Sequence, residues 1–295
     1  MILYDTNQAI IAATAKASSD FGINEVTLSD VRHYFLRLVV EVRKKFAAEY
    51  GPETVLAFDS ITSLWRKYEF PYYKFSRKDA KANMPFDMEF AKECIRDLYD
   101  ELKLNTHFKC IRKEGAEGDD VIGVIIKERA YKEGDIVDLG SLPKFLIVSS
   151  DEDFLQCQQY AGVDQYSSIK GAHVRDENPR KALFEKIVRG DRGDGIPSAL
   201  SPDDQFVVEN PRQKSIMAKH VDAWYEEYIS TKIAPAALVN FARNKRLIDF
   251  DEIPAEVYGG IIEEYETYKP NTKMNFVSYL TQKKVRGFEQ DLTFF

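Results

Sequence analysis

The stretch FLIVSSDED, residues 145–153, decides the fold. Its first four residues, Phe145 to Val148, form a short apolar run bounded by two serines, the mark of a buried strand and its end. Two aspartates one residue apart, Asp151 and Asp153, follow at once. If the strand continued, its pleat would aim both carboxylates the same way. Paired negative charge at the end of a buried strand asks for a cation.

The same succession recurs elsewhere. Ile2-Leu3-Tyr4 leads to Asp5, and Val55-Leu56-Ala57-Phe58 leads to Asp59. Between these runs lie helical patterns, around 8–17, over 87–103, over 117–131, and from Thr27 to Tyr50 with Val31, Phe35, Leu38, Val39, Val42 and Phe46 at helical spacing. Residues 107–111 add a further strand. Alternating strands and helices predict an α/β fold with a mostly parallel central sheet covered by helices. Ligands of such sheets bind beyond the carboxyl ends of the strands, so Asp5, Asp59 and Asp151 should emerge on one edge. From about residue 190 the pattern is helical throughout, over 211–230, 234–245, 254–268 and 273–281. The chain thus divides into an α/β core, 1–190, and a helical region with a C-terminal tail, 191–295. Inside the core, LWRKYEFPYYKFSRKDAKANMPF (64–86) mixes aromatic and basic residues without periodicity and reads as an insertion.

At 295 residues and 44% hydrophobic content the chain can bury a sizeable core. Three cysteines, odd in number and without metal-ligand spacing, argue against a disulfide framework and for a reducing, cytoplasmic setting. No run approaches the ~20 apolar residues of a membrane span, and the N-terminus lacks the basic start of a signal peptide. The net charge of −7 decides little, because it is unevenly spread. Six bases face two acids between Arg66 and Lys81, and five bases with no acid run from Thr267 to Phe288.

Nine carboxylates stand at element ends: Asp5, Asp59, Glu117, Asp119, Asp120, Asp151, Asp153, Asp191 and Asp194. For any one alone, a helix cap or a turn is the simpler reading, as it is for Asp30, Asp87 and Asp176. Gathered on one edge, they would repel strongly unless cations neutralised them. Oxygen donors without histidine or cysteine suit Mg²⁺ or Mn²⁺. Such sites commonly hold two ions about 4 Å apart and serve phosphoryl transfer to water.

In this order the motifs resemble the 5′ nucleases of the flap endonuclease type, phage members above all. Asp5 in LYDTN and Asp59 in AFDS resemble the family's first two metal-site aspartates. EGDD carries over Glu117, Asp119 and Asp120; SSDEDF carries over Asp151 and Asp153; GDRGDGIP carries over Asp191 and Asp194. YYKFSRK contains the family's Y-K-x-x-R, so Lys74 and Arg77 resemble the basic pair beside the scissile phosphate. RLIDFDEIPAEV, outside any catalytic motif, also resembles the phage members. GIPSALSPDDQF departs from the pattern: without a G-x-G pair, the family's duplex-binding hairpin and its monovalent cation are in doubt.

The resemblance implies a PIN/5′ nuclease-like fold and two Mg²⁺ ions, with Mn²⁺ able to substitute. It implies 5′-3′ exonuclease, RNase H and flap endonuclease activity on DNA and RNA·DNA hybrids, used in primer removal during phage replication. Asp5, Asp59, Asp119 and Asp151 are expected at the first ion, Asp153 and Asp194 at the second, with Glu117, Asp120 and Asp191 direct or water-mediated. Residues 64–86 are expected to form an arch in which Arg66, Lys67, Tyr73, Lys74, Arg77, Lys78 and Lys81 meet nucleic acid. The alternative there is a solvated charged loop. Leu292, Phe294 and Phe295 at the C-terminus are expected either to enter a partner's groove, a sliding clamp's for instance, or to fold back on the chain. A single-stranded-DNA-binding protein is a further expected partner, and the enzyme is expected to be a monomer. Competing readings are a PIN-type ribonuclease and a non-catalytic binding module; the length, the Y-K-x-x-R and the full set of acids disfavour both.

Overall fold

The computed structural model describes residues 1–75, 84–132, 142–208, 213 and 215–294. Arg77, Lys78, Lys81 and Phe295 therefore lie outside the described residues. Three parallel strands form the centre: β1 (Ile2–Asp5), β2 (Thr54–Ala57) and, further along the chain, β5 (Phe145–Val148). With β3 (Lys109–Ile111), β7 (Val163–Ser167) and β8 (Ala172–Val174) they make a six-stranded sheet in the order β3-β2-β1-β5-β7-β8. All pairs are parallel except β7 with β8. A small antiparallel pair, β4 (Tyr131–Lys132) with β6 (Tyr160–Ala161), lies apart.

Every residue of β1, β2 and β5 is buried, as expected of strands covered on both faces. One layer consists of α1 (Thr6–Phe21), α2 (Leu28–Tyr50) and α4 (Met88–Asn105), whose Phe35, Val39 and Leu98 pack with Tyr4 and Leu56. The other consists of α5 (Gly118–Arg129) and α9 (Ala255–Thr267), joined around Leu3, Val55 and Ile147. A third cluster joins Phe70 and Tyr73, beside the short α3 (Trp65–Glu69), to α6 (Pro179–Arg189), α7 (Ala218–Thr231) and α8 (Phe241–Ile248).

The last helices return to the sheet. Ile261 and Tyr265 of α9 belong to one face's core, and Phe276, Tyr279 and Leu280 of α10 (Lys273–Gln282) to the other. Residues on both sides of position 190 therefore share all three cores. Caps behave as the sequence suggests: Thr27 and Asp30 make a reciprocal capping box on α2, and Asp87 accepts from Glu89 and Phe90. The three cysteines are free and buried, and no described helix is long and apolar enough to cross a membrane.

Several expectations need correction. After Val148 the chain does not continue as a strand; Glu152–Gln159 is a 3₁₀ helix with Asp151 as its cap, Asp153 N–H donating to Asp151 Oδ1 at 2.9 Å. A shared pleat therefore does not aim the two carboxylates. Helix α7 starts at Ala218 rather than 211, and α8 covers Phe241–Ile248 rather than 234–245. Of the two readings of the tail, Leu292–Phe294 follows the second: it is a 3₁₀ turn on α2, with Leu292 against the core and the Phe294 carbonyl bonded by Arg43. Just before it, Asp291 pairs with Arg37 at 2.9 Å and Lys44 at 2.7 Å.

Candidate metal centre

The parallel register places Asp5 beside Ala57, and Tyr4 beside Val148, so β1, β2 and β5 end together. Asp5 is at once the last residue of β1 and the cap of α1, accepting from Gln8 N–H at 3.1 Å and Ser149 Oγ at 2.9 Å. Asp59, two residues past β2, accepts from Gly118 N–H at 2.8 Å, which ties it to the start of α5. Asp119 lies in the first turn of α5, where the helix dipole favours a carboxylate. Asp151 completes the group, held by Ser149 Oγ, and its carbonyl accepts from the buried Gln165 amide at 2.7 Å.

These four acids are electrostatically crowded. Burial, and behind it the charges of Asp59 and Asp151, push Asp5 up to about 7. Asp119 is pushed well above the usual carboxylate range, by desolvation and then by Asp5, Asp151, Glu117 and Asp59. Asp59 and Asp151 are raised as well, burial leading in both. Among the described residues none of the four is ion-paired. Crowded oxygen donors without an ion pair, raised in pKa despite the more distant charges of Lys74 and Lys186, fit a hard divalent cation.

The other acids already have cations. Glu117 accepts from Arg66 at 3.0 Å and Tyr73 Oη at 2.7 Å, and pairs with Lys74. Burial would raise its pKa, but Lys74 and Arg66 prevail and hold it below the ordinary value. Tyr73 Oη also lies 2.8 Å from Asp194 Oδ2, so its one proton serves both acids, and Lys74 Nζ lies 3.8 Å from Asp194. Asp153 and Asp191 share Lys186, with Asp191 Oδ2 at 3.1 Å. Among the described residues, no three acids converge into a formed ligand cage. The structure brings the carboxylates to one edge but leaves several of them bonded within the protein.

Three expected roles change. Asp120 is fully buried and bonded to Trp65 Nε1 at 3.0 Å, to Arg66 at 2.8 and 2.9 Å and to Glu117 N–H at 2.9 Å. It closes the capping box of α5 and is not free to hold an ion directly. Arg66, 3% exposed, donates to Glu117, Asp120 and the Leu247 carbonyl, so it does not face nucleic acid. Tyr73 is also 3% exposed and spans two acids rather than offering its ring to a base. Among the described residues of this segment, Lys67, Tyr68, Glu69, Pro71, Phe75, Met84 and Pro85 are the exposed ones.

Lys74 adopts φ 56°, uncommon for a residue with a side chain, and its N–H is fixed by the Asp194 carbonyl at 2.7 Å. Gly195 must be glycine for a related reason: at φ 72° its missing Cβ would stand 2.8 Å from the Tyr72 carbonyl. The base of segment 64–86 is thereby locked to the 191–196 loop. Lys186, in the last turn of α6, was marked by no motif; its only local signal is a base five residues before Asp191. A groove of about 810 Å³ lies away from these acids, between α1, α2 and the β7–β8 hairpin. A cleft of about 560 Å³ lined by Asp153, Lys186, Asp191 and Arg192 adjoins them. Charge, not volume, marks the site.

An edge of crowded oxygen donors without ion pairs, beside a lysine held at positive φ, fits a metal-dependent nuclease. Residues 12–186 match the model of the 5′-3′ exonuclease N-terminal resolvase-like domain, and residues 178–295 match that of the T4 RNase H C-terminal domain. The chain belongs to this 5′-3′ exonuclease family. It is 29% identical over 265 residues to the ribonuclease H of Enterobacteria phage T4, covering 88% of this chain and 84% of that one. Its fold is shared with the T5 5′-exonuclease bound to zinc ions, at 14% identity and TM-score 0.56 over 96% of this chain and 98% of that one. It is shared too with the bacteriophage T5 flap endonuclease in a pseudo-enzyme–product complex with DNA and metal ions, at 16% identity and TM-score 0.58 over 90% and 99%.

Proposed function

We propose that the chain is a Mg²⁺-dependent 5′ nuclease that hydrolyses phosphodiesters at the 5′ ends of RNA·DNA hybrids, DNA duplexes and flaps, and removes primers during phage replication. The observation that carries this reading is the group Asp5, Asp59, Asp119 and Asp151, four crowded carboxylates with no ion pair among the described residues, at the ends of parallel strands and the start of α5. These residues hold the first ion; Asp153 and Asp194 face the second, with Glu117 and Asp191 around it. Bound divalent ions supply activation of the attacking water and stabilisation of the leaving oxygen. Mn²⁺ serves in place of Mg²⁺.

The protein's own part is positional. The strand ends and the α5 N-terminus fix the acids on rigid elements, while Lys74, whose N–H is held by the Asp194 carbonyl and whose ammonium pairs with Glu117, turns from that carboxylate to meet the scissile phosphate. Arg77 acts beside it, and Lys67, Lys78 and Lys81 track the nucleic-acid backbone. The enzyme works as a monomer in the host cytoplasm. Contact with a clamp or a single-stranded-DNA-binding protein through Leu292, Phe294 and Phe295 requires Asp291 to release Arg37 and Lys44.

The test is cleavage of a 5′-labelled RNA·DNA hybrid by Asp119→Asn and Asp151→Asn. Both should lose Mg²⁺-dependent cleavage by about 10²-fold or more while melting cooperatively. Full activity in both would defeat the assignment.

A further inference from the structure

The two halves of the acid edge are neutralised differently. The first, Asp5, Asp59, Asp119 and Asp151, has no ion pair among the described residues. The second is bridged by two ammonium groups. Lys74 joins Glu117 to Asp194, and Lys186 joins Asp153 to Asp191. Lys186 reaches the acids from α6, whose Phe184, Ile187 and Val188 are buried in the third core cluster, so its backbone is rigidly placed. Its side chain is 24% exposed and opens on the adjoining cleft, which gives the ammonium somewhere to go.

We propose that Lys186 is a tethered counter-ion that occupies the second ion's position in the resting enzyme and must leave it before that ion binds. This rests on the reading of Asp153 and Asp191 as second-ion residues. Two cations cannot share the same carboxylates at hydrogen-bond distance, so the lysine and the ion exclude each other. The second ion's apparent affinity is then reduced by the fraction of molecules in which the lysine has swung away. If that fraction is about a tenth, removing the ammonium tightens the second site about tenfold. The first site, none of whose acids pairs with Lys186, changes less, since the ammonium acts there only through its longer-range charge on Asp151.

The experiment is Mn²⁺ binding to the full chain without nucleic acid, read as free Mn²⁺ by electron paramagnetic resonance. The wild type should show one tight and one weak site. Lys186→Met, which keeps the length of the stem, should tighten the weak site about tenfold and shift the tight one by less. Lys186→Arg should retain the wild-type isotherm. As a second readout, Mn²⁺ should raise the melting temperature of Lys186→Met more than that of the wild type, since tighter binding to the folded state stabilises it more. An unchanged or weakened second site in Lys186→Met would overturn the proposal. Asp119→Asn separates the two readings, for it should abolish the tight site alone. If the tight site survives that change, the parent reading fails and this one with it. If it is lost while Lys186→Met binds like the wild type, only the counter-ion role is wrong.

Discussion

Replacing Arg66 by methionine distinguishes a structural arginine from a nucleic-acid contact. The guanidinium donates to Glu117 at 3.0 Å, to Asp120 at 2.8 and 2.9 Å and to the Leu247 carbonyl at 2.8 Å. All these groups are shielded from water: Arg66 and Glu117 are 3% exposed and Asp120 is 0% exposed. Methionine keeps most of the stem but leaves the fully buried Asp120 without its cation and Glu117 with Lys74 alone, a loss of about 3–5 kcal/mol. Unfolding entropy of about 2.1 cal/mol/K per residue gives about 0.6 kcal/mol/K for this 295-residue chain. The melting temperature should therefore fall by about 5–8 °C.

The sign of the pH dependence follows from Glu117, whose pKa in the fold lies below its unfolded value. Its stabilisation is present above the unfolded value and is lost as pH falls through the lowered one. The melting gap between wild type and Arg66→Met should therefore narrow on acidification. Calorimetry reads the gap, and salt-dependent DNA binding, made non-cleaving with Asp119→Asn, reads the contacts. Lys67→Met, at an exposed position of the same helix, should reduce the salt slope by about one and leave melting nearly unchanged. Unchanged melting with a reduced slope in Arg66→Met would refute the buried-pair reasoning.

Two further outcomes follow from the same contacts. Without divalent ions, the raised pKa values of Asp5 (about 7), Asp59, Asp119 and Asp151 give stability that is full below about pH 4 and is lost as pH rises toward and past 7. Bound metal removes this penalty, so the rise in melting temperature on adding Mg²⁺ should be larger at pH 8 than at pH 6; the reverse order would contradict the crowding. Deleting residues 292–295 removes the half-buried Leu292 and the partner of Arg43, and should cost about 1–2 kcal/mol, or about 2–3 °C in melting, while sparing basal cleavage. Unchanged melting would show that the tail does not contribute to the fold.

What the sequence disclosed was local. Strand-then-aspartate at Asp5, Asp59 and Asp151 and the acidic first turn of α5 are adjacent in the chain, so the edge and its charge were legible. The internal pairing of that charge was not. Arg66 meets residues 51 and 54 positions away, and no spacing rule distinguishes a base bound for the interior from one bound for phosphate. Lys186 escaped notice because the helix carrying it is announced only by Asn178 and Pro179 at its start. The β7–β8 hairpin was hidden by Gln165, a fully buried polar residue in mid-strand whose amide holds the Ser149 and Asp151 carbonyls. Asp151 and Asp153 were correctly placed at a strand end but for an incorrect reason, since a 3₁₀ cap and not a pleat orients them.

The most direct test follows the products from a 5′-labelled RNA annealed to DNA, incubated with Mg²⁺ and, in parallel, with EDTA. Short labelled fragments released from the 5′ end with Mg²⁺, and none with EDTA, are the expected result. Shortening from the 3′ end, or cleavage that persists in EDTA, would contradict a metal-dependent 5′ nuclease built on these acids.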